Sequence, residues 1–316
     1  MQNPELVKFA DGMRSTYRAA IPMAGSPDPV AAVRSVRIRA VAPLRDIPVR
    51  VYVPEGFDSA TMLPIVLFAH GGGFVSGDFD THDVLARAIA NGTHALVAAV
   101  DYRLAPEHPY PAGLDDVFEV LTWLAVNAGQ VGGDGNAMAV CGDSAGGNLA
   151  AASALLARDR GGPQIIAQWL MYATLSNRMD TESWTLFGDT NFPTRADMTG
   201  ILKAYVPEGV DRHAPLVSPL SARHNDLPPA FIQVGEHDPL RDENVAYATA
   251  LRRAGVEVQA RVYPGQQHGF IQFYKDKEHN PQGESALLDG IEFIRRKLTE
   301  ARVQSANPNS CVVAAS

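Results

Sequence analysis

The hydrophobic residues fall into short apolar runs separated by longer amphipathic stretches, which predicts strands and helices in alternation. Residues 33–39 and 49–53 alternate apolar and polar side chains, a pattern that predicts a hairpin at one edge of a sheet. Residues 63–69 are apolar without alternation, as in a strand that is covered on both faces. Further strands are predicted at 94–100, 138–141, 165–172, 229–234 and 256–262, and helices at 82–91, 115–128, 241–254, 284–302 and directly after residue 144.

The alternation of strands and helices runs from residue 63 to residue 302 and predicts an α/β fold, with a mainly parallel sheet and helices on both faces. Two segments depart from this pattern. Residues 1–32 hold short amphipathic pieces broken by prolines, which predicts one or two small helices and a linker. Residues 174–213 are rich in aromatic side chains and contain two short helical patterns without strand alternation. We interpret this second segment as an inserted cap.

Composition and charge narrow the range of partners. The chain has 316 residues, of which 46% are hydrophobic and 20% charged, as in an ordinary globular enzyme. A net charge of −8 argues against nucleic acid and anionic membranes as partners. The apolar runs have the length of strands and are too short to cross a bilayer, so we expect no membrane insertion. With only Cys141 and Cys311, we expect no disulfide and a cytoplasmic protein.

The sequence around Ser144 predicts a nucleophile. Gly142-Asp143-Ser144-Ala145-Gly146 matches G-x-S-x-G, with an apolar strand pattern before it and a helix pattern after it. So sharp a turn places the serine in a strained backbone region, and glycines flank it because a Cβ there would clash. The Ser144 hydroxyl would stand clear of the sheet at the positive end of the following helix.

A glycine-rich loop follows the predicted strand 63–69. It begins at His70 and continues as Gly71-Gly72-Gly73-Phe74, so backbone N–H groups can approach a ligand without side chains in the way. In combination with a nucleophilic serine, such a loop supplies donors for an oxyanion. A dinucleotide-binding loop does not fit, because its glycines would not be contiguous.

Asp238 and His268 each follow directly after a predicted strand, as Ser144 does. The carboxyl ends of parallel strands meet at one edge of a sheet, so we expect these three side chains to lie together. The chain order Ser, Asp, His is the one found in the α/β-hydrolase fold. His268 is the candidate base and Asp238 the candidate group that orients it. Asp242 and Glu243 are alternative acids, but both fall inside the next predicted helix.

These residues support hydrolysis of an ester through an acyl-enzyme. Ser144 would attack the carbonyl carbon while His268 takes its proton, and the N–H groups of Gly72, Gly73 and Ala145 would bind the developing oxyanion. This chemistry needs no cofactor. The sequence also lacks the spacing of histidines and cysteines that is typical of a metal site.

The sequence resembles the hormone-sensitive-lipase-like carboxylesterases, bacterial family IV of the α/β-hydrolase superfamily. The matching motifs are HGGGF at 70–74, DYRLAPEHPYPAGLDD at 101–116, GDSAGGN at 142–148, SPL at 218–220, LPPAFI at 227–232, DPLRDE at 238–243 and YPGQQHGF at 263–270. The resemblance implies a triad of Ser144, Asp238 and His268, an oxyanion hole at Gly72, Gly73 and Ala145, and short- to medium-chain acyl esters as small-molecule substrates. It also implies a two-part cap, and a homodimer is common in the family.

The resemblance gives an expected layout of the chain. The N-terminal cap helices, linker and edge strand would occupy 1–45, the catalytic core 46–173 and 214–303, the cap insertion 174–213, and a mobile tail 304–316. The cap does not match the family clearly, so its aromatic residues are candidates either for the core or for the substrate wall: Trp184, Phe187, Phe192 and Tyr205. Gln266 and Gln267 also depart from the apolar residue that often precedes the histidine.

Two other functions use the same scaffold. An amidase or peptidase would share the triad, because motifs do not distinguish ester from amide leaving groups. A non-catalytic receptor for a small ligand is the second alternative. The plant gibberellin receptors resemble this family but have lost the catalytic histidine, whereas this chain retains His268.

Overall fold

A mixed sheet with helices on both of its faces forms the centre of the structure, a computed structural model that describes residues 3–41, 43–57 and 61–306. The strands are β1 Ala32–Val41, β2 Leu44–Val53, β3 Leu63–Ala69, β4 Leu96–Val100, β5 Gly133–Asp143, β6 Ala167–Met171, β7 Ala230–Gly235 and β8 Val258–Tyr263. The α-helices are α1 Pro4–Ala19, α2 Asp83–Thr93, α3 Ala112–Asn127, α4 Ala145–Arg160, α5 Glu182–Phe187, α6 Arg195–Tyr205, α7 Arg241–Arg253 and α8 Gly283–Ala306.

The strand order is β1-β2-β4-β3-β5-β6-β7-β8. Strands β1 and β2 pair antiparallel, as do β2 and β4, and every later neighbouring pair is parallel. The predicted hairpin is therefore present, with β1 at one edge and β8 at the other. The predicted α/β fold with a mostly parallel sheet is confirmed.

Two apolar cores separate the sheet from its helices. One core contains buried side chains of α3, α4 and α7, and the other those of α2 and α8. Strand β3 lies between them, which explains its continuous apolar run. Helix α4 is buried from Ala145 to Ala157, all round its circumference, because it packs against the central strands, α3 and the segment after β6.

The segments expected to form a cap are helical. Helix α1 packs against α6, where a side chain on Gly200 would overlap the ring of Phe9. Helices α5 and α6 are the two short helical patterns of residues 174–213. Since β2 begins at Leu44, the expected boundary after residue 45 falls inside that strand.

The C-terminal end also differs from expectation. Helix α8 continues to Ala306, so residues 304–306, assigned to the tail, are helical. The remainder of the expected tail, with Cys311, lies outside the described residues. No helix within the described ranges is both long enough and apolar enough to cross a membrane.

Candidate active site

Ser144 lies on a sharp turn between β5 and α4. Its φ of 52° and ψ of −117° are unfavourable for a residue with a side chain, at a cost of about 1–3 kcal/mol. The neighbouring glycines permit the turn, because a Cβ on Gly146 would overlap the backbone of Ala69 and one on Gly142 would overlap Gly146. The strand–turn–helix arrangement predicted from the sequence is present.

A chain of hydrogen bonds connects Ser144 to His268 and Asp238. His268 Nε2 lies 2.9 Å from Ser144 Oγ, and His268 Nδ1 lies 2.7 Å from Asp238 Oδ2. The second Asp238 oxygen accepts a hydrogen bond of 2.8 Å from the Leu240 N–H. Because a carboxylate only accepts, His268 carries its proton on Nδ1, and Nε2 is free to accept from the Ser144 hydroxyl.

The sheet accounts for this meeting of distant residues. Ser144 follows β5, Asp238 follows β7, and His268 lies in the loop after β8, so all three stand at the carboxyl ends of parallel strands. Both His268 and Asp238 have buried side chains. The ring of Tyr172, which follows β6, packs 4.8 Å from the His268 ring and restricts its orientation.

Three backbone N–H groups belong to residues at or close to the turn: Ala145 follows Ser144, and Gly72 and Gly73 follow Gly71, which contacts Asp143. Gly72 and Gly73 have φ angles of 123° and 62°, which favour glycine, and Ala145 is the first residue of α4. None of their N–H groups donates a hydrogen bond to another residue that the structure describes. Gly71 differs, because its N–H donates to Asp143 Oδ1 at 2.8 Å. The three free donors are those proposed from the sequence.

A cavity of about 170 Å³ opens beside His268. Helix α1 contributes Met13 and Tyr17 to its wall, the cap contributes Phe192, and Phe273 follows His268 in the chain. Most of this wall is apolar. Met13 and Tyr17 belong to the amphipathic pieces of residues 1–32, which the sequence did not connect to the site, and Phe273 carried no motif.

The four aromatic candidates of the cap occupy different places. Phe192 is 40% exposed, and its ring lies 5.8 Å from the His268 ring. Trp184 is buried in the core, and Tyr205 stacks on Phe74 at 3.8 Å. Phe187 packs against His237. Of the four, Phe192 alone lines the cavity beside His268.

The alternative acids bond elsewhere. Asp242 accepts from the Ser183 N–H at 2.8 Å, and Glu243 accepts from the Leu175 N–H at 2.7 Å. Glu243 therefore holds the segment after β6, and Asp242 holds the start of α5. Burial raises the pKa of Glu243 well above its usual range. Gln266 is also buried, and its backbone carbonyl accepts from the His237 N–H at 2.9 Å.

A second buried polar cluster lies beneath the turn. Asp143 bonds to His82, whose Nε2 lies 3.3 Å from Asp143 Oδ2. Burial opposes the charge of Asp143, but the charge of His82 and hydrogen bonds from His82 and the Gly71 N–H outweigh it and lower the pKa of Asp143. Burial lowers the pKa of His70 to about 4, and the charge of His82 acts in the same direction. His70 Nδ1 lies 2.8 Å from the Gly71 carbonyl, so a neutral His70 donates there.

Across the described ranges, no group of three or more histidine, cysteine, aspartate or glutamate side chains is placed to hold a metal ion. Cys141 is a free, fully buried thiol in β5. It packs within the core that contains α2 and α8.

The strand order, the turn at Ser144 and the hydrogen-bonded chain to Asp238 are together the arrangement of an α/β-hydrolase. A family model described as alpha/beta hydrolase fold matches residues 66–272, and the chain belongs to this family.

Named relatives cover most of the chain. Carboxylesterase NlhH of Mycobacterium tuberculosis (strain H37Rv) is 47% identical over 235 residues, which is 73% of each chain. Esterase LipI of the same strain is 40% identical, over 76% of this chain and 75% of that protein. The crystallised hyperthermophilic esterase of Pyrobaculum calidifontis is 35% identical with a TM-score of 0.84, and the match covers 92% of this chain and 93% of that one. The resemblance to the hormone-sensitive-lipase-like carboxylesterases is thus confirmed.

Proposed function

We propose that this protein is a serine carboxylesterase that hydrolyses short- to medium-chain acyl esters. The observation that carries the proposal is the geometry of His268, with Nε2 2.9 Å from Ser144 Oγ and Nδ1 2.7 Å from Asp238. The names of relatives that are up to 47% identical, which are carboxylesterases and esterases, support the same reaction. Ser144, His268 and Asp238 are the catalytic residues of this proposal.

The first half of the reaction acylates the enzyme. Ser144 Oγ attacks the carbonyl carbon of the ester while its proton passes to His268 Nε2. The charge that develops on His268 is stabilised by Asp238, which also fixes the tautomer through Nδ1. Because Asp238 is fully buried, this interaction is only weakly screened by water.

The oxyanion of the tetrahedral intermediate is stabilised by backbone donors. The N–H groups of Gly72, Gly73 and Ala145 point to one place beside Ser144 in this proposal, and Ala145 adds the positive end of α4. Each such donor contributes about 3–4 kcal/mol to the stability of a transition state. These donors have no other partner within the described chain, so they need no rearrangement before they act.

The second half of the reaction regenerates the enzyme. His268 gives its proton to the departing alcohol, and a water molecule then enters and loses a proton to the same nitrogen. The water oxygen attacks the acyl carbon as this proton is lost. The bond from that carbon to Ser144 Oγ then breaks, His268 returns the proton to Oγ, and the acid leaves. Side chains and backbone of this chain supply each of these steps, so we expect no cofactor requirement.

The cavity beside His268 is the proposed site for part of the substrate. Its volume of about 170 Å³ and its apolar wall suit a short hydrocarbon group of a small ester. In this proposal α1 and the 174–213 insertion act as a two-part cap over the catalytic core. Phe192 is the cap residue proposed to contact substrate, because it lines the cavity and its ring lies 5.8 Å from that of His268.

Assembly and location are also proposals. Strand β8 is a sheet edge whose residues 259–262 are exposed, and such an edge can pair with a second copy of the chain. We therefore propose a homodimer in which β8 strands pair. Light scattering of the wild type and of a Val262→Lys variant tests this, and an unchanged dimer in the variant would argue against β8 as the interface.

A cytoplasmic location stays a prediction.

A panel of p-nitrophenyl esters from acetate to palmitate tests the proposed reaction. We expect turnover of acetate to hexanoate, little activity on palmitate, and none in Ser144→Ala. Ser153→Ala is a matched control, because Ser153 is a buried serine of the same helix whose hydroxyl has no partner in the described chain. A serine-reactive phosphonate should label the wild type and Ser153→Ala once, at Ser144. Hydrolysis that persists in Ser144→Ala would disprove the proposal.

A further inference from the structure

A buried ion pair joins the residue before Ser144 to the start of α2, and its Asp143 also borders the cavity beside His268. Asp143 is 1% exposed and precedes Ser144 directly, and His82 is 2% exposed at the start of α2. His82 Nε2 lies 3.3 Å from both carboxylate oxygens of Asp143. The carboxylate also accepts the Gly71 N–H, so it connects the turn to the glycine-rich loop.

Hydrogen-bond geometry places the protons on His82. The hydroxyl of Thr81 lies 2.8 Å from the Asp78 carbonyl and must donate there, because a carbonyl only accepts. Thr81 Oγ1 is also 2.9 Å from His82 Nδ1, and since the hydroxyl proton is already used, Nδ1 is the donor. Nε2 faces a carboxylate and carries a proton as well. His82 is therefore an imidazolium, assigned from its partners.

His70 does not compensate the charge of Asp143. Its ring lies 5.6 Å from the His82 ring, but its Nδ1 donates to the Gly71 carbonyl, and its Nε2 has no partner in the described chain. The rings of Tyr17 and Phe68 pack on His82 without supplying a charge. Among the contacts of the described residues, the cation that balances Asp143 is His82.

We propose that His82 is a positioning residue of the oxyanion hole. It neutralises Asp143, so that this carboxylate can hold the Gly71 N–H without repelling the oxyanion of the substrate that forms at Ser144, the next residue. The inference rests on the proposed function, because it assigns a role to a residue outside the triad in the same reaction.

The close contact between Gly71 and Asp143 explains why the pair matters. A Cβ on Gly71 would overlap the Asp143 carboxylate, so the loop is held against it, and Gly72 and Gly73 follow directly. An uncompensated carboxylate would repel the developing negative charge strongly, because the surroundings exclude water. It would also be driven to take up a proton or move toward solvent, which would release the Gly71 N–H.

The test is a double-mutant cycle on His82 and Asp143. Asn at 143 keeps an oxygen for the Gly71 N–H but removes the charge, so it makes the cation unnecessary. We expect His82→Gln in the wild-type background to lower kcat about tenfold or more, with KM changed less than about threefold, since an oxyanion donor is disturbed. In the Asp143→Asn background the same change at 82 should alter kcat by less than about twofold.

His224→Gln is the matched control. His224 is a buried histidine that bonds to the Pro219 carbonyl and has no carboxylate partner in the described chain, so its replacement should leave kcat within about twofold of the wild type. Thermal unfolding of each variant separates a loss of folded protein from a loss of turnover.

The outcomes are distinct. Equal losses of kcat from His82→Gln in both backgrounds would overturn the charge-compensation role, and would indicate a packing role for the ring. If the single variant His82→Gln does not fold, the kcat of the double variant is compared with that of Asp143→Asn. A ratio of these two kcat values far from one overturns the proposal. No effect of any His82 variant, with Ser144→Ala inactive, would remove this inference and leave the proposed function intact.

Discussion

Arg14 of α1 and Glu107 of the loop after β4, 93 positions apart in the sequence, form a bidentate ion pair. Arg14 Nη1 lies 2.8 Å from one carboxylate oxygen and Nη2 2.6 Å from the other. The same guanidinium donates from Nε to the Val75 carbonyl at 2.9 Å, next to the glycine-rich loop. Helix α1 has a single fully buried residue, Ala10, among those for which burial is described. These polar contacts therefore add to the packing of partly buried Leu6, Phe9 and Met13 in holding α1 over the cavity.

We predict that Arg14→Gln loosens α1 and weakens substrate binding. The pair is partly exposed, so it contributes about 1 kcal/mol at most, and KM for p-nitrophenyl butyrate should rise about threefold to fivefold with kcat nearly unchanged. High salt should reduce the difference between variant and wild type. Arg18→Gln is the control, because Arg18 is 65% exposed and its one side-chain partner among the described residues is Asp78. An equal KM in Arg14→Gln and wild type would show that α1 is held by its other contacts.

Replacing Asp238 should abolish most turnover while leaving the fold intact. In Asp238→Asn the side chain no longer stabilises the positive charge on His268 and favours the wrong tautomer, so kcat should fall by about 10⁴ with little change in KM. Asp242→Asn is the comparison, since Asp242 bonds to the Ser183 N–H rather than to His268. Steady-state kinetics and circular dichroism check both variants. A kcat within tenfold of wild type in Asp238→Asn would contradict the proposed triad.

Phe192 should limit the size of the group that the cavity accepts. Its ring lies beside His268, so Phe192→Ala enlarges the cavity and should raise kcat/KM for decanoate relative to butyrate by about tenfold, the effect of one or two methylene contacts. Leu186→Ala is a matched control, because Leu186 lies in α5 of the same insertion and is 56% exposed. The ratio of the two esters should be unchanged in the control. An unchanged ratio in Phe192→Ala would place the substrate chain elsewhere.

The strands that the sequence predicted well are those with buried, uninterrupted apolar residues. Strands β3 and β4 lie at the centre of the sheet, where burial on both faces selects apolar residues at each position. Strand β5 begins five residues earlier than the apolar run, at Gly133, which pairs with Leu63. The residues from Gly133 to Asn136 are of types that favour turns, so local composition gave no sign of this pairing.

The site was predictable where local sequence determines geometry, and less so where distant segments meet. Ser144, Asp238 and His268 each follow a strand, so sheet topology alone brings them together. The cap residues depend instead on how α1 and the insertion pack, and among Trp184, Phe187, Phe192 and Tyr205 hydrophobicity alone did not separate core from cavity wall. His82 carries no motif either. Only the fold places this histidine beneath Asp143, 61 residues away.

His70 makes stability depend on pH in a defined window. Burial, with the nearby charge of His82 acting in the same direction, lowers the pKa of His70 to about 4, whereas a histidine in the unfolded chain titrates near pH 6.5. Between these values the unfolded chain binds a proton that the folded protein does not. The contribution of His70 to stability is therefore complete above about pH 6.5 and is lost progressively as pH falls toward 4.

The size of this loss follows from the difference in pKa. The difference of about 2.5 between the two pKa values of His70 corresponds to a loss of about 3 kcal/mol in the free energy of unfolding at the acidic end of the window. The larger part of this loss should have occurred by pH 5. Urea unfolding at pH 7.5 and pH 5 measures it. In His70→Asn, which keeps a donor for the Gly71 carbonyl, the fall in the free energy of unfolding should be smaller by about 2 kcal/mol. His279→Gln should behave as wild type because His279 is 70% exposed, and an undiminished fall in His70→Asn would show that His70 is not the group responsible.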